Sequence, residues 1–283
     1  MTSPVKLHLL RVGACRHLEC MAARGGRWAM MDFPALCGLI RHPAHGWILY
    51  DTGYAEHFFT ATEQLPERLY RSFLPVNLPP SERLIAQLAE LGLTAADIGT
   101  VIVSHYHGDH IAGLRDFPQA RFFALRKDTE QFLALTGKRW RATLQAYLPG
   151  LLPEDFPQRV QAADDCSPVE LPLWLQPFAN GFDLLGDGSL IAVPLPGHSH
   201  GQMGLFLPDA GGRPVFLIGD AAWSLPFLRE GRLPSRLVAM ITPDRRRYAQ
   251  TFLSLHALAL REPALALLPS HCSVAWREYL HDA

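Results

Sequence analysis

Residues 104–110 read Ser104-His105-Tyr106-His107-Gly108-Asp109-His110, which places three imidazoles and one carboxylate within six residues. Neutral imidazole and carboxylate are the side chains that bind catalytic zinc and similar divalent ions. If the chain is extended at the start of this motif, His105 and His107 lie on one side and share one metal. Gly108 then lets the chain turn, so that the remaining carboxylate and imidazole face a second metal nearby. The alternative, a loop of solvated histidines, leaves this pattern unexplained.

The bulk composition is that of an ordinary enzyme. The chain has 283 residues, 48% of them hydrophobic, and a formal net charge of -1. This charge balance predicts no nucleic-acid partner, and no apolar run approaches the ~20 residues that span a bilayer. The first ten residues lack the apolar segment of a secretory signal. The five cysteines (Cys15, Cys20, Cys37, Cys166 and Cys272) form no C-x-x-C pair, which favours reduced thiols and a cytoplasmic location.

The elements before the motif follow from apolar periodicity. Residues 5–12 predict a strand, and residues 15–33 predict an irregular segment that is either a surface loop or a loop folded over a binding cleft. A helix is expected over residues 81–91, with Ser81 as its N-cap and Gly92 as its stop. Asp51 follows a strand directly in Asp51-Thr52-Gly53. Its carboxylate either accepts a hydrogen bond from a metal-bound histidine or forms a simple turn.

The later part of the chain repeats one arrangement. Apolar strands are predicted at 101–103, 190–195, 215–218 and 264–268, and a potential metal ligand follows each of them. Ligands at the ends of several strands can converge at one rim of a sheet core. These ligands are the motif residues, then His198, Asp220 and His271. A helix is expected after Thr242-Pro243-Asp244 with Pro243 at its first position. Arg245, Arg246 and Arg247 are expected on its solvated side, or else in an anion site.

These residues carry a family resemblance. The motif at 105–110, Pro196-Gly197-His198, Gly219-Asp220, Ser270-His271 and the early Asp51-Thr52-Gly53 resemble the metallo-β-lactamase superfamily. The resemblance implies one domain over residues 1–283 and an α/β fold, a four-layer αβ/βα sandwich with helices outside two mixed sheets. Composition and spacing alone predict only an α/β class. Residues 138–178, where the periodicity weakens, are expected to form a lid, a homodimer contact or a structural excursion.

The same resemblance implies a dinuclear site. It assigns His105, His107 and His198 to one metal, Asp109, His110 and His271 to the other, and Asp220 to both. Two close metals would generate a bridging hydroxide near neutral pH that attacks a carbonyl, and Asp109 would move a proton to the leaving oxygen. Zinc is expected, with iron or manganese as alternatives. His200 is either a hydrogen-bond partner behind the ligands or a competitor of His198, and the resemblance favours His198.

The layout is most similar to the N-acyl homoserine lactone lactonases, which implies a hydrolase that opens an ester or lactone of a small molecule with an apolar part. One position departs from that group: Trp223 stands where those lactonases place a tyrosine that binds the lactone carbonyl. Trp223, Trp28 and Tyr106 are the candidate substrate contacts, although Tyr106 is expected to point away from the metals. The alternatives are a thioesterase of the glyoxalase II type, a phosphodiesterase, an iron-dependent oxygenase and a non-enzymatic binding protein of the same fold.

Overall fold

The structure, a computed structural model, describes residues 5–236, 238 and 242–282. Two mixed β-sheets pack face to face and helices cover both outer faces. This arrangement confirms the predicted four-layer αβ/βα sandwich.

The first sheet has seven strands, in the order β4-β1-β2-β3-β5-β6-β7. β1, β2 and β3 are antiparallel neighbours, whereas β3, β5, β6 and β7 run parallel to one another. The strands are β1 (Lys6–Leu18), β2 (Met30–His42), β3 (Gly46–Tyr50), β4 (Val76–Asn77), β5 (Ile98–Ile102), β6 (Arg121–Ala124) and β7 (Val160–Ala162).

The second sheet has six strands, in the order β13-β12-β11-β10-β9-β8. Its strands pair antiparallel except β12 and β13, which are parallel. They are β8 (Ser167–Glu170), β9 (Asn180–Asp183), β10 (Ile191–Pro194), β11 (Met203–Pro208), β12 (Pro214–Gly219) and β13 (Ala266–Pro269). β11 and β12 form an antiparallel hairpin.

Helices fill the outer layers. In chain order they are α1 (Glu19–Ala22), α2 (Glu56–Ala61), α3 (Glu67–Phe73), α4 (Leu84–Glu90), α5 (Gly108–Ile111), α6 (Arg126–Ala134), α7 (Arg139–Leu144), α8 (Phe156–Arg159), α9 (Leu225–Arg229), α10 (Arg245–Arg261) and α11 (Ser273–Asp282). Short 3₁₀ turns occur at Pro80–Glu82, Ala95–Asp97, Leu114–Asp116, Pro149–Leu151, Ala163–Asp165 and Leu173–Leu175. None of the helices in the described ranges is long and apolar enough to cross a membrane.

The strand that leads into the histidine motif shows why the sheets stack. Ile102 points into the core between the two sheets, whereas Val101 and Val103 point into the core beneath the outer helices. A strand buried on both faces is apolar throughout, as this one is. Across the inner core, the Tyr50 hydroxyl donates to the carbonyl of Met203 at 3.1 Å and so ties the two sheets together.

Three boundaries differ from those predicted. The segment 15–33 is not irregular at its ends: β1 continues to Leu18 and pairs with the start of β2 at Met30. The helix at 81–91 begins only at Leu84, because Arg83 is extended and separates it from a 3₁₀ turn, so Ser81 is not its N-cap. Pro243 lies outside α10, because the Asp244 side chain caps that helix by accepting from the amide of Arg247.

The segment 138–178, where the sequence pattern is weak, contributes to three different parts of the fold. α7 is tied to α3 by Arg139, whose Nε and Nη2 donate to the Glu67 carboxylate at 2.9 and 2.6 Å. Tyr147 pairs with His107 in an isolated β-bridge. The rest supplies β7 and β8, one edge strand for each sheet. Its roles as a lid or a dimer contact stay predictions.

Candidate metal centre

Four side chains from three strand ends form the first half of a buried cluster. Ligand atoms of His105, His107, His198 and Asp220 all lie within 4.8 Å of one another. Nε2 of His105 and Nε2 of His198 each lie 3.0 Å from Nδ1 of His107. Three imidazole nitrogens on one tetrahedral zinc would be separated by about 3.3 Å, since each Zn–N bond measures about 2.0–2.1 Å. The nitrogens therefore converge at a spacing that suits a single ion.

Asp109, His110 and His271 form the second half, again with ligand atoms within 4.8 Å. Oδ2 of Asp109 lies 3.8 Å from Nε2 of His110 and 3.4 Å from Nε2 of His271. All three residues are buried. The turn at Gly108, which starts α5, separates Asp109 and His110 from the two earlier histidines of the motif, as the sequence predicts.

The Asp220 carboxylate lies between the two halves. Its Oδ1 is 3.2 Å from Nε2 of His271 and 3.3 Å from Nε2 of His110, while its Oδ2 is 3.2 Å from Nε2 of His198. Among the described residues, Asp220 Oδ1 and His110 Nε2 are buried polar atoms without a hydrogen-bond partner. Buried polar atoms without partners are costly. A pair of divalent metal ions would satisfy them, so the donor set fits such ions.

Asp51 orients the histidine motif through three hydrogen bonds. Its carboxylate accepts from the Ser104 amide at 2.8 Å, from the Ser104 hydroxyl at 2.7 Å and from Nδ1 of His110 at 2.8 Å. Because Nδ1 is engaged by Asp51, Nε2 is the nitrogen of His110 that is turned toward the cluster. Of the two roles considered for Asp51, the structure therefore shows the hydrogen bond to a candidate ligand. Asp51 adopts a φ of 60°, which is unusual for a residue other than glycine.

The two later histidines are held by backbone contacts. Nδ1–H of His271 donates to the carbonyl of Pro34 at 2.7 Å, which turns Nε2 of that ring toward Asp220. His198 follows Gly197, whose φ is +127° and where a Cβ would lie 2.1 Å from the amide nitrogen of Tyr248. Only glycine fits this close approach to α10, which brings the Pro196-Gly197-His198 turn over the cluster.

Burial and charge set the protonation of the metal-free cluster. Burial, reinforced by neighbouring imidazoles, holds the pKa of His105 and of His107 well below the usual value, so both rings are neutral. Burial alone would raise the pKa of Asp220, but the imidazoles of His271, His110 and His198 outweigh it and hold that pKa well below the usual value. Burial acts to lower the pKa of His271, yet Asp220 and Asp109 raise it to about 9. Burial also acts to lower the pKa of His110, yet Asp51, Asp109 and Asp220 raise it well above the usual value. Because metal binds the neutral imidazole, His105 and His107 are ready to bind, whereas His110 and His271 would release a proton on binding.

The predicted substrate contacts are placed very differently from one another. Half-buried Trp223 lies at the cluster: its Nε1–H donates to Oδ2 of Asp220 at 3.1 Å, and its ring centroid is 5.9 Å from that of His271. Trp28 lies on the loop between β1 and β2 and is 83% exposed, so it is not part of the buried cluster.

The structure turns Tyr106 away from the cluster. Its hydroxyl hydrogen-bonds Thr129 at 2.7 Å and its ring packs against Phe132 under the outer helices. Its burial is incompatible with its assignment as a substrate contact. Tyr106 lies between His105 and His107 in an extended segment, so its side chain faces away from theirs. His200 also lies outside the cluster of ligand atoms, whereas His198 lies within it.

Sequence reasoning missed the buried Asp128. Its carboxylate accepts from the Tyr147 hydroxyl at 2.8 Å and from the Ser199 hydroxyl at 3.0 Å. Tyr147 pairs with the backbone of His107, and Ser199 is adjacent to His198, so Asp128 braces two candidate ligands from behind. Burial raises the pKa of Asp128, an effect that the two hydroxyl donors oppose. No local signal in the sequence separates this aspartate from one at an exposed helix start.

The fold and this cluster define a class of protein. The chain belongs to the metallo-beta-lactamase superfamily, whose family model matches residues 30–271. The suspected family is thereby confirmed.

Among its relatives is the N-acyl homoserine lactonase AttM of Azorhizobium caulinodans, 28% identical over 283 residues that cover 97% of this chain and 96% of that protein. A solved structure of a variant of AiiA from B. thuringiensis, with N-decanoyl-L-homoserine at its active site, superposes with a TM-score of 0.72 at 17% identity and covers 98% of this chain and 97% of that one. AidC, described as a dizinc quorum-quenching lactonase, superposes with a TM-score of 0.65 at 16% identity, over 97% of this chain and 89% of its own. These structural similarities show the shared fold.

Proposed function

We propose that this protein is a dinuclear metal-dependent hydrolase that opens an ester or lactone. The observation that carries the proposal is the Asp220 carboxylate, which contacts both groups of buried ligand atoms: Oδ2 lies 3.2 Å from Nε2 of His198 and of His271, and Oδ1 lies 3.2 Å from Nε2 of His271. A bridging carboxylate and six further ligands are what a pair of divalent ions requires, since each ion then keeps a position open for water or substrate.

Each group of side chains has a distinct task in this proposal. His105, His107 and His198 hold the first ion, Asp109, His110 and His271 hold the second, and Asp220 touches both. When bound, the two ions supply a water of lowered pKa and polarise the substrate carbonyl. Asp51 keeps the His110 ring oriented through Nδ1, and Pro34 does the same for His271. Such outer contacts set the tautomer and direction of each ligand.

Asp109 is the proposed proton carrier for the leaving oxygen. Its carboxylate has longer contacts, 3.4 Å to Nε2 of His271 and 3.8 Å to Nε2 of His110, whereas that of Asp220 accepts from the Trp223 indole at 3.1 Å. A carboxylate with spare acceptor capacity beside the reacting bond can take a proton and pass it on.

The substrate class is proposed from the relatives and from the rim of the cluster. AttM is named for the hydrolysis of an acyl homoserine lactone, which is an ester in a ring. At the rim, Trp223 packs edge-on against Phe33 with ring centroids 6.0 Å apart, which makes an apolar wall beside Asp220. A small-molecule ester or lactone with an apolar part suits that wall. Thioesters and phosphodiesters remain the alternative substrates of the same site.

The metal and the compartment are proposals as well. Five imidazoles and two carboxylates without a thiolate favour zinc, although iron and manganese accept the same ligands. All five cysteines are free, which supports a reducing compartment and hence a cytoplasmic location.

The test is a hydrolysis panel with protein of measured metal content. Lactones, thioesters, phosphodiesters and β-lactams are each offered to zinc-, iron- and manganese-loaded protein and to chelated protein. We expect about two metals per chain and turnover of lactones or simple esters that disappears on chelation. One iron per chain together with oxygen uptake would overturn the proposal, as would full metal loading without hydrolysis of any ester.

A further inference from the structure

A cavity of about 310 Å³ lies beside the metal cluster and is lined by Arg24, Arg236 and Arg245 together with Tyr248. We call it the arginine cavity. Its arginines come from three separate elements: the loop between β1 and β2, the segment after α9 and the first turn of α10. Arginines that are distant in sequence and line one cavity provide several planar donors for one ligand.

The cavity lies at the same end of the sandwich as the metal cluster. β1 runs in the same direction as β3 and β5, because two antiparallel pairings and one parallel pairing connect them. The loop that carries Arg24 therefore lies at the end of the sheet where β5 is followed by the histidine motif. The amide of Arg24 donates to the carbonyl of Leu233 at 2.9 Å, which joins that loop to the segment after α9.

Tyr248 is the side chain shared by the cavity and the cluster. Its ring centroid is 5.6 Å from that of His198, and its hydroxyl donates to the carbonyl of Asp220 at 3.1 Å. A ligand in the arginine cavity would thus be separated from the first group of candidate ligands by roughly the width of one ring. That spacing suits a group several bonds away from a carbonyl at the metals.

The charge of the cavity is unbalanced, in contrast to that of its surroundings. Three nearby arginines each have a carboxylate partner: Arg27 with Glu19 at 2.6 Å, Arg232 with Glu230 at 3.2 Å and Arg247 with Asp244 at 3.7 Å. Within the described parts of the chain, Arg24, Arg236 and Arg245 have no carboxylate partner, and no acidic residue lines the cavity. A site of this kind attracts anions.

We infer that the arginine cavity binds the anionic end of the substrate, a carboxylate or phosphate that is remote from the ester or lactone cleaved at the metal cluster. Guanidinium groups pair with these anions through two parallel hydrogen bonds, which favours a carboxylate or phosphate over a neutral group. The inference rests on the proposed hydrolase function and specifies its substrate class. Of the three consecutive arginines at the start of α10, Arg245 then belongs to an anion site, whereas Arg247 is paired with Asp244.

The experiment compares matched esters. The 4-nitrophenyl monoesters of glutaric, adipic and pimelic acid, with a free terminal carboxylate, are compared with the same esters whose terminal acid is an amide. The readout is the ratio of kcat/KM for the acid over the amide. We expect a ratio of about ten or more at the best chain length, the factor that one charge-assisted hydrogen bond contributes. The ratio should fall as salt is raised, because the arginines are exposed.

Arg245→Gln should lower this ratio about tenfold, mainly through KM for the acid. Arg246→Gln is the matched control, because Arg246 is an exposed neighbour on the same turn and does not line the cavity. A wild-type ratio near one at every chain length overturns the inference, and so does a ratio that both variants leave unchanged.

A binding measurement separates the inference from the proposed function. If the metal-loaded protein hydrolyses neither series, the panel of lactones and other esters decides the hydrolase proposal, and calorimetric titration with adipate tests the cavity alone. Adipate that binds Arg245→Gln at least fivefold more weakly than Arg246→Gln supports the arginine cavity as an anion site. Equal affinity for the two variants counts against it.

Discussion

Two clusters of histidine and aspartate lie at opposite ends of the described part of the sandwich, and the two differ in how well they fit a metal ion. At one end are the seven candidate ligands, one of which is Asp220. At the other, His42, His45 and Asp187 also bring ligand atoms within 4.8 Å of one another. His42 ends β2 and Asp187 precedes β10, so this second cluster also bridges the two sheets.

The difference lies in what already occupies the ring nitrogens. Nδ1 of His42 accepts from the amides of Ala44 and His45, both at 3.1 Å, so its proton is on Nε2. That Nε2–H faces Ser189 and Asp187, each at 3.0 Å. The ring is therefore saturated by hydrogen bonds and has no lone pair for an ion. At the other end, His110 and His271 use Nδ1 for the hydrogen bond behind the ring and turn Nε2 toward the Asp220 carboxylate, where a metal ion would displace the proton on that nitrogen. Possible ligands can share a metal ion only when the hydrogen bonds behind them turn their donor atoms toward one point.

The largest expected effect is the loss of the bridging carboxylate. Asp220→Asn removes the negative charge that both groups of ligands face, so we expect metal content to fall below two per chain and kcat/KM for an ester to drop about 10³-fold or more. Metal analysis and steady-state kinetics on the same preparation measure both quantities.

Asp209→Asn is the matched control for that variant. Asp209 is also buried, yet it accepts from the amides of Gly211 and Arg213 in the hairpin after β11, at 2.9 Å each, away from the cluster. It should retain both metals. Normal activity and metal content in Asp220→Asn would refute the bridging role.

Second in size is the loss of the hydrogen bond behind His110. Asp51→Asn should weaken the second metal about 10–100-fold, the usual effect of changing a residue that orients a ligand. Competition with a chelator of known affinity gives the dissociation constants. Asp116→Asn is the control, because Asp116 makes an equally short contact of 2.8 Å with His57, which is not a candidate ligand. Equal metal affinity in the two variants would contradict the account.

At the opposite end of the sandwich, a substitution in the His42 cluster should change the stability of the protein but not its metal content. His42→Ala leaves Ser189, Asp187 and two backbone amides without their partner, so the free energy of unfolding should fall by about 1–3 kcal/mol. Urea unfolding of the metal-free protein measures this change, and metal analysis should be unaltered. The exposed His45 provides the control variant His45→Ala, with a smaller loss. A bound metal that disappears in His42→Ala would erase the distinction between the two ends.

Substitutions of Trp223 test whether this side chain, next to Asp220, contacts the substrate. Trp223→Phe removes the donor to Asp220 but keeps an aromatic wall, whereas Trp223→Tyr restores the hydroxyl found in the lactonases that the sequence resembles. We expect Trp223→Tyr to change the preference among lactones of different chain length several-fold, since one hydrogen bond contributes about 0.5–1.5 kcal/mol. Kinetics on a series of lactones is the measurement. An unchanged preference would show that this position does not determine specificity.

The smallest effect concerns pH at the second cluster. Partial burial acts to raise the pKa of Asp187, but hydrogen bonds from Ser189 and the contact with His42 outweigh it and lower that pKa. A carboxyl whose pKa is lowered by folding adds stability above its unfolded pKa of about 3.9 and loses it as pH falls through the folded value. The stability difference between wild type and Asp187→Asn should therefore be present at pH 7, at under about 1 kcal/mol because Asp187 is exposed.

That difference should shrink as the pH falls below about 4. Urea unfolding of both metal-free proteins across the acid range provides the comparison. A difference that grows on acidification would show that the contact with His42 does not involve the ionised carboxylate.

Local patterns predicted much of the architecture. The apolar run at Val101-Ile102-Val103, predicted as a strand, is buried on both faces. Gly92, with a φ of +73°, ends its helix as expected. Predictions failed where pairing with a distant segment decides the conformation: residues 15–18 are extended because they lie opposite residues 30–33, and no nearby residue signals this pairing.

The sequence by itself determined which residues could bind metal and in what order the strands deliver them, because ligand type and a position after an apolar strand are both local properties. Only the tertiary structure decided which histidines turn a ring nitrogen toward Asp220, since that depends on partners far away in the chain, such as Pro34 for His271. It also decided that Asp128 lies behind His198 and that Arg24 and Arg245 line one cavity. Spacing along a chain sets what a side chain can do, whereas packing sets which atoms surround it.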